Sequence, residues 1–393
     1  MTSALTTRCK LSIAKWSVDS GADARGEFLE LHLSTAMNSA VDTCRLTLYA
    51  PPPKKKGLLD EALGAATDMA ADALGLGGGG GAKSKAFAIK VRGNDVKHGD
   101  ALTIELTSGN RNGKVATLDV RTMRTTLGVT DIEAATGKHT LLNTRVNQVY
   151  ENQSLDQIVK DLAGQAQVST GSIDTGSTYP YVVVHESRSV FAHVLALARR
   201  EGLDVFFDTE NKLTVTKFSK TKADHTFNYG IDILDLVTYH HEPPADHVLV
   251  YGESAASNQG SDTWHWLAKD LKPFRGELGK GGRLVALADR ALRTKDAADS
   301  QAKAQLGAVK DQATRGRLVV LGNPLVQLGQ AIEIKGAPQP ELNGLFKVIA
   351  VSHRYGKQEG FLTTLAFTGQ GGAQEAAGLL GQALGALAGA VGL

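Results

Sequence analysis

Cysteine is scarce in this chain, and strong charge of one sign is absent. Only two cysteines occur in 393 residues, which excludes a disulfide scaffold and any zinc or iron–sulfur site built from four thiolates. The 43 basic and 41 acidic side chains leave a net charge of +2, whereas nucleic-acid-binding proteins usually carry a clear basic excess. The first residues, Met1 to Leu5, lack the basic and then apolar pattern of a secretory signal. We therefore expect assembly in a reducing cytoplasm and no recognition of nucleic-acid sequence.

Short catalytic motifs are missing as well. The sequence contains no G-x-S-x-G, no H-E-x-x-H and no Walker loop. The five glycines at 77–81 are not followed by Lys-Ser/Thr at the spacing of a phosphate-binding loop. The sequence thus predicts no enzyme activity, no catalytic residue and no cofactor.

Two clusters deserve separate treatment because their residue types can carry chemistry. His240, His241 and His247 form the best candidate for a metal site, but a metal needs three or four converging ligands and this spacing does not force convergence. Exposed histidines of a linker are the alternative, and we predict no metal. Trp264 and Trp266 could stack on a sugar or a base, or they could pack in an aromatic interface.

The residues before about 143 predict an antiparallel β domain, because apolar and polar residues alternate. The alternating apolar positions include Leu11, Ile13, Leu29, Leu31, Leu33, Leu46 and Leu48. Cys9 and Cys44 share this apolar parity, which predicts two buried thiols. An insert at 51–85 interrupts the domain; it has three prolines at its start, Leu and Ala at helical spacing, and the polyglycine near its end.

A change of pattern near residue 144 predicts a small α+β module over 144–226. Ser154 and Gln157 have the spacing of a capping box, and Gly202 is the expected end of a second helix that begins near Ser189. A hairpin follows over about 203–216. We expect the apolar faces of the two helices to be buried together, namely Leu155, Ile158, Leu162, Phe191, Val194 and Leu195.

Strand patterns return after the module and predict a second β domain over 227–370, with an insertion at about 255–308 that contains a helical run. Two similar β domains on either side of a spacer suggest an internal duplication. The overall prediction is a mainly β protein in which two tube-like antiparallel β-barrel domains flank a small two-helix α+β module.

The residues from 371 to 393 form an apolar tail rich in Gly and Ala. One helical face of the tail carries the residues that we predict to contact a partner: Leu379, Leu380, Leu384, Leu387 and Val391. Glycines recur at every fourth position, a spacing that lets helices approach closely. A chain end without a role and insertion into a membrane are the alternatives; the low hydrophobicity of the tail speaks against a membrane span.

Three segments together carry a resemblance to a known family. The first runs from Gln148 to Val159 and has a tyrosine before a capped helix. The second runs from Glu186 to Phe207 and has one helix, a glycine and an aromatic hairpin. The third is the block from Gly322 to Thr364. In order and spacing they resemble the late control protein D family, the tail hub proteins of contractile phages. They are also similar to the hub half of VgrG-type spike proteins of contractile injection systems.

This resemblance implies a structural baseplate protein with two tube-like barrels per chain. Three chains would then form a ring of six barrels, which adapts a sixfold tail tube to a threefold spike. The implied partners are two further copies of the chain, the tail tube protein, a spike on a separate polypeptide, other baseplate components, and a tape-measure protein or cargo. The implied location is a phage tail or injection particle assembled in the bacterial cytoplasm.

Two alternatives come from other functional classes. The chain could be a cell-wall hydrolase that is carried on a tail, although no segment of the sequence has a recognisable pair of carboxylates for glycoside hydrolysis. It could also be a polysaccharide-binding module that uses Trp264 and Trp266.

Overall fold

The computed structural model describes residues 6–14, 16–21, 28–39, 42–49, 88–91, 94–126, 128–252, 274–356 and 359–369. The first part of the chain contains β1 (Thr7–Ile13), β2 (Trp16–Asp19), β3 (Phe28–Ala36), β4 (Thr43–Tyr49), β5 (Ala88–Val91), β6 (Asn94–Lys97), β7 (Ala101–Ser108), β8 (Arg111–Thr125), β9 (Val129–Ala135) and the short helix α1 (Lys138–Asn143). The middle part contains β10 (Gln148–Ser154), α2 (Leu155–Gln165), β11 (Thr170–Ile173), β12 (Thr178–Val184), α3 (Val190–Glu201), β13 (Asp204–Phe207) and β14 (Leu213–Thr216). The last part contains β15 (His225–Asn228), β16 (Ile233–His240), β17 (His247–Gly252), β18 (Arg275–Gly279), β19 (Leu284–Asp289), α4 (Lys295–Asp311), β20 (Thr314–Leu321), β21 (Ala331–Lys335), a 3-10 turn (Pro340–Leu342), β22 (Gly344–Gly356) and β23 (Gly360–Thr368).

A single 13-stranded sheet runs through both ends of the chain. Its main path is β16-β20-β23-β22-β3-β4-β9-β8-β7-β1-β2, and β21 and β15 branch from β22. All pairs are antiparallel except that of β15 with β21. The prediction of a mainly β protein with a small helical module is therefore confirmed, and the alternation of apolar residues explains why these segments form half-buried strands.

The same strand arrangement occurs twice in this sheet. The order β7-β8-β9-β4-β3 in the first part corresponds to β21-β22-β23-β20-β16 in the last part, and every one of these pairs is antiparallel. The first set packs around one hydrophobic core and the second set around another. The duplication that the sequence suggested is thus visible as a repeated topology.

Strand irregularities repeat at matching positions. The pairing of β3 with β4 shifts just before Glu30, and that of β16 with β20 shifts just before Asp235. Such a shift marks a β-bulge, which inserts one residue and changes the parity of the strand. The predicted alternation is wrong at Leu29 for this reason: the bulge turns Leu29 outward to 38% exposure, and Phe28 fills the core instead.

A second irregularity is shared by the central strands. β8 shifts against β9 directly after Val120, and β22 shifts against β23 directly after Val348. The loop before each preceding strand bonds to that same residue: Gly99 N donates to Val120 O at 2.8 Å, and Gly329 N donates to Val348 O at 3.2 Å. Both glycines have positive φ, 86° and 74°, which residues with a Cβ adopt only with strain. The two matched bulges and the matched glycine loop show which residue of the first strand set corresponds to which residue of the second.

A short link draws the second strand set together. In the last part, β15 pairs with β21 and β16 pairs with β20, and only four residues link β15 to β16. The two sides of this domain are therefore joined at Gly230, where φ is +78°. Asp232 fixes the link, because its carboxylate accepts the backbone N–H of Asn228 at 2.9 Å.

The middle part forms a module with its own core. The backbone N–H of Ser154 donates to Gln157 Oε1 at 3.0 Å, and the Ser189 hydroxyl accepts from Ala192 N at 3.2 Å, so both predicted helix starts are confirmed. Gly202 ends α3 with φ 69°. Five of the six residues expected on the buried helix faces are at most 3% exposed; the prediction is wrong for Leu195, which is half-buried, while Leu197 packs inward at 1%.

A further small unit lies between β16 and β20. β18, β17 and β19 form a three-stranded sheet, and α4 packs on it around Val248, Val250 and Leu306. Arg200 of α3 holds this unit through two bonds to Asp289, at 2.6 and 3.0 Å. None of the helices that the structure describes is both long and apolar enough to cross a membrane.

Candidate assembly surfaces

The two barrels meet through direct strand pairing between β22 and β3. Seven residues of β22, from Ala350 to Gly356, pair with β3 from Ala36 back to Glu30. One face of this joint is buried: Val351, His353 and Tyr355 are at most 4% exposed. Because the backbone groups of both edges are satisfied by the joint, the polypeptide itself shows how one barrel of this fold can attach to another.

Tyr355 ties the joint into the first barrel. Its ring packs edge-on against Phe28 with 5.3 Å between ring centroids, and its hydroxyl lies 2.7 Å from that of Ser20. Burial is the main reason why the pKa of Tyr355 is raised. His353 beside it is fully buried, and burial lowers its pKa to about 3, so the imidazole is neutral in the folded protein. The joint is thus part of the buried core.

Two strand segments that correspond to the joint have an open edge. β16 pairs with β20 along one edge, and no other described strand pairs with the second edge. β8 pairs with β7 up to Asp119, and among the strands that the structure describes, β9 is the one that pairs with residues 122–125. On the corresponding part of β22, both edges are paired, one with β23 and the other with β3. Open edges are where strand addition occurs.

Apolar side chains are exposed around the open edge of β16. Ile231 is 81% exposed, Leu234 and Tyr239 are each 55% exposed, and Tyr229 is 48% exposed. Not one residue of β16 is fully buried. Single exposed apolar residues are normal, but two on an open strand and two more in the link before it indicate a surface that another molecule covers.

The outward face of the long sheet carries many polar residues and several ion pairs. Neighbouring strands place Thr364 beside Ser352, and Ser352 beside Ser34. Charges on this face are paired across strands, among them Lys10 with Glu105, Arg45 and Arg124 with Asp131, Arg354 with Glu30, and Arg317 with Asp235. Burial acts to raise the pKa of Asp131, but the bonds from Arg124 and Thr47 outweigh it, and the pKa lies below its usual range.

A polar junction fixes the module between the two barrels. Asn38, in the left-handed region with φ 53°, donates through Nδ2 to Asp204 Oδ1 at 2.9 Å and accepts from Val205 N at 2.8 Å. Lys347 of the second barrel contacts the same carboxylate at 2.9 Å. One residue from each of the three parts thus meets at Asp204, and the hydrogen bonds set their relative orientation.

The three candidate metal residues each contact a different partner. The His241 ring stacks on Tyr239, and His240 Nδ1 lies 3.4 Å from the Thr314 hydroxyl. His247, in the small unit, contacts Glu277 Oε1 at 2.9 Å. Across the described ranges, no group of three or more His, Cys, Asp or Glu side chains is arranged to hold a metal ion.

Several predicted residues lie outside the described residues. These are the insert at 51–85, Trp264 and Trp266, and the tail residues Leu379, Leu380, Leu384, Leu387 and Val391. The open edges of β16 and β8 did not emerge from the sequence, since only strand pairing shows which edges remain uncovered. The two cysteines are buried as predicted, at 0% and 2% exposure, and burial raises the pKa of Cys44 to about 12.

Comparison with known proteins shows what the fold resembles. No protein-family model matches the sequence, and no curated protein matches it significantly. Among solved structures, a tail protein from Neisseria meningitidis MC58 superposes with a TM-score of 0.64 at 10% identity, covering 93% of this chain and 97% of that one. The 43 kDa tail protein of prophage MuSo2 from Shewanella oneidensis gives 0.62 at 12% identity, covering 92% and 98%. This chain has the fold of phage tail proteins.

A third structure extends this likeness to secretion systems. The E. coli c3393 protein is described as a component of the type VI secretion system, similar in structure to the T4 bacteriophage tail proteins gp27 and gp5. It superposes with a TM-score of 0.53 at 10% identity, over 91% of this chain and 76% of that one. At such low identity the likeness concerns the fold.

Proposed function

We propose that this protein is the hub of a contractile phage tail or related injection system. Three copies form a ring that adapts a sixfold tail tube to a threefold spike, and the protein acts as a structural component without enzyme activity. The observation that carries the proposal is the repeated barrel. One chain presents two matched strand sets in one continuous sheet, so three chains supply six near-equivalent surfaces to a sixfold partner.

The fold of tail proteins and the surfaces support this function. The ion pairs between neighbouring strands of the long sheet suit the wall of a channel, because these charges compensate one another. The partners that follow are the tail tube protein, a spike on a separate polypeptide, baseplate components, and a tape-measure protein or cargo. Such a particle is assembled in the bacterial cytoplasm.

The apolar tail from 371 is proposed to contact one of these partners. Leu379, Leu384 and Leu387 share one helical face in the sequence, and three tails would converge in a trimer. Contact with a spike or cargo would bury that face.

Light scattering tests the oligomeric state, and electron microscopy tests the shape. The purified chain is measured alone and with the spike polypeptide of its own particle, and we expect the mass of three chains and a threefold ring with a central opening. A chain that stays monomeric at micromolar concentration with the spike present would overturn the proposed function. Incubation with purified peptidoglycan, followed for release of soluble fragments, tests the hydrolase alternative separately.

A further inference from the structure

The open edges of β16 and β8 correspond to the two strands of the internal joint. The matched bulges make β16 the counterpart of β3, and they make the end of β8 the counterpart of β22. Inside the chain, β3 of the first barrel pairs with β22 of the second. Their counterparts, β16 of the second barrel and the end of β8 in the first, do not pair with each other in the single chain.

We infer that β16 of one copy pairs antiparallel with residues 122–125 of β8 in the next copy, repeating the internal joint between chains. The occupant of the open edge is thus a second copy of this chain. The inference rests on the proposed trimeric ring and specifies the strands that close it. A head-to-tail contact between two different edges generates a ring when the rotation closes.

Residue correspondence gives the register of this joint. The pairing of β22 shifts after Val348, and His353 lies five residues beyond it. The pairing of β8 shifts after Val120, and Thr125 lies five residues beyond it. Leu33 follows Glu30 by three residues, as Thr238 follows Asp235. His353 faces Leu33 in the internal joint, so Thr125 of one copy faces Thr238 of the next.

Neighbouring positions fit the same register. Ser352 faces Ser34 in the internal joint, and their counterparts are Arg124 and Tyr239. The Arg124 side chain pairs with Asp131 and is still 68% exposed, and Tyr239 is 55% exposed, so both side chains are accessible to a neighbouring strand. Positions that are buried at the internal joint have counterparts that are uncovered in the single chain: Thr125 is exposed, and Met123 and Thr238 are only half-buried.

Disulfide cross-linking tests this register. A chain carrying both Thr125→Cys and Thr238→Cys should form a covalent trimer on oxidation, seen as a band three chains in mass on non-reducing gels, and each single variant should not. A chain with Thr125→Cys and Tyr239→Cys is the matched control, because a shift of one residue points the second thiol to the opposite face. The native cysteines are buried, and oxidation of the unsubstituted chain checks that they form no cross-link between chains.

Charge substitution gives a second readout. Thr238→Lys should abolish the trimer in light scattering while circular dichroism stays unchanged, since a lysine on an edge strand opposes strand addition. Val183→Lys, on an exposed position of the module, should leave the trimer intact. A trimer that forms without the Thr125–Thr238 cross-link and tolerates Thr238→Lys overturns this joint but leaves the hub function standing. A chain that forms no trimer, with or without its spike, overturns the hub function itself.

Discussion

The Nζ atom of Lys138 lies 2.9 Å from Oδ1 of Asp42, and both side chains are 1% exposed. The ammonium also donates to the Ala36 carbonyl at 2.9 Å, and the other oxygen of the carboxylate accepts from the Thr136 hydroxyl at 2.9 Å. Burial lowers the pKa of Lys138, and the carboxylate only partly offsets this. This pair ties the β3–β4 loop to the start of α1, where the first barrel passes into the module.

Removing the Lys138 ammonium should destabilise the protein, because the Asp42 carboxylate is then buried without its partner. We expect Lys138→Met to lower the free energy of unfolding by about 3–5 kcal/mol, because it leaves Asp42 buried without a partner. Urea denaturation followed by circular dichroism measures this change. The control is Lys160→Met, which breaks an exposed pair with Asp156 and should cost less than about 1 kcal/mol. Equal losses in both variants would contradict the assignment of a buried pair.

The module core should respond to loss of volume. Leu162 is fully buried between α2 and its neighbours, so Leu162→Ala should cost roughly 2–5 kcal/mol in urea denaturation. Val183→Ala, on the exposed face of the two-stranded sheet, should change stability by less than about 0.5 kcal/mol. A loss below about 0.5 kcal/mol at Leu162 would mean that this helix face does not pack against the core.

Two glycines should respond to alanine with opposite sign. A Cβ on Gly316 would lie 2.1 Å from the Phe367 ring, so Gly316→Ala should destabilise the second barrel strongly. A Cβ on Gly164, inside α2, would meet nothing within 4 Å, and alanine there should raise stability by up to about 1 kcal/mol. Thermal melts of the two variants give the comparison, and a shift of the same sign in both would refute it.

Stability should fall in mild acid because of His353. Its folded-state pKa of about 3 lies below the ordinary value of a histidine, so the unfolded chain binds a proton that the folded one does not. This contribution is complete above about pH 6.5 and is lost as the pH falls toward 3, at roughly 1.4 kcal/mol per pH unit. Between pH 6.5 and 5 the native chain should lose about 2 kcal/mol more than a His353→Asn variant. His32→Asn is the control, since His32 is exposed on the other face of the joint; parallel pH profiles for the native chain and His353→Asn would contradict this account.

Deleting residues 374–393 tests the proposed tail contact. We expect the truncated chain to retain its trimer, because the ring surfaces lie in the barrels, and to lose its spike or cargo in a pull-down from assembled particles. Particles that assemble, load and inject as before would show that the tail makes no required contact.

Short sequence patterns predicted the helices and strands well, but they did not predict which strands pair with one another over long distances in the sequence. Ser154 and Gly202 mark helix ends through bonds within a few residues, so sequence spacing suffices. The predicted alternation failed at Leu29 because one bulge residue reverses which face of the strand the preceding side chains point to. A bulge leaves no signal of its own in the sequence. The open edge of β16 depends on which strands pair across more than 70 residues, as Thr238 does with Gly316, and no local pattern encodes that.

The internal joint has a consequence for assembly kinetics. In the proposed ring of six barrels, three of the six barrel contacts are already made when each chain has folded, because β22 and β3 belong to one molecule. The three remaining contacts form in two association steps, because the last one closes the ring within a complex of three chains, so translational and rotational freedom is lost twice rather than the five times that six separate barrels would require. Fusing the two barrels into one polypeptide thus lowers the concentration at which the ring closes and fixes the alternation of the two barrel types around it.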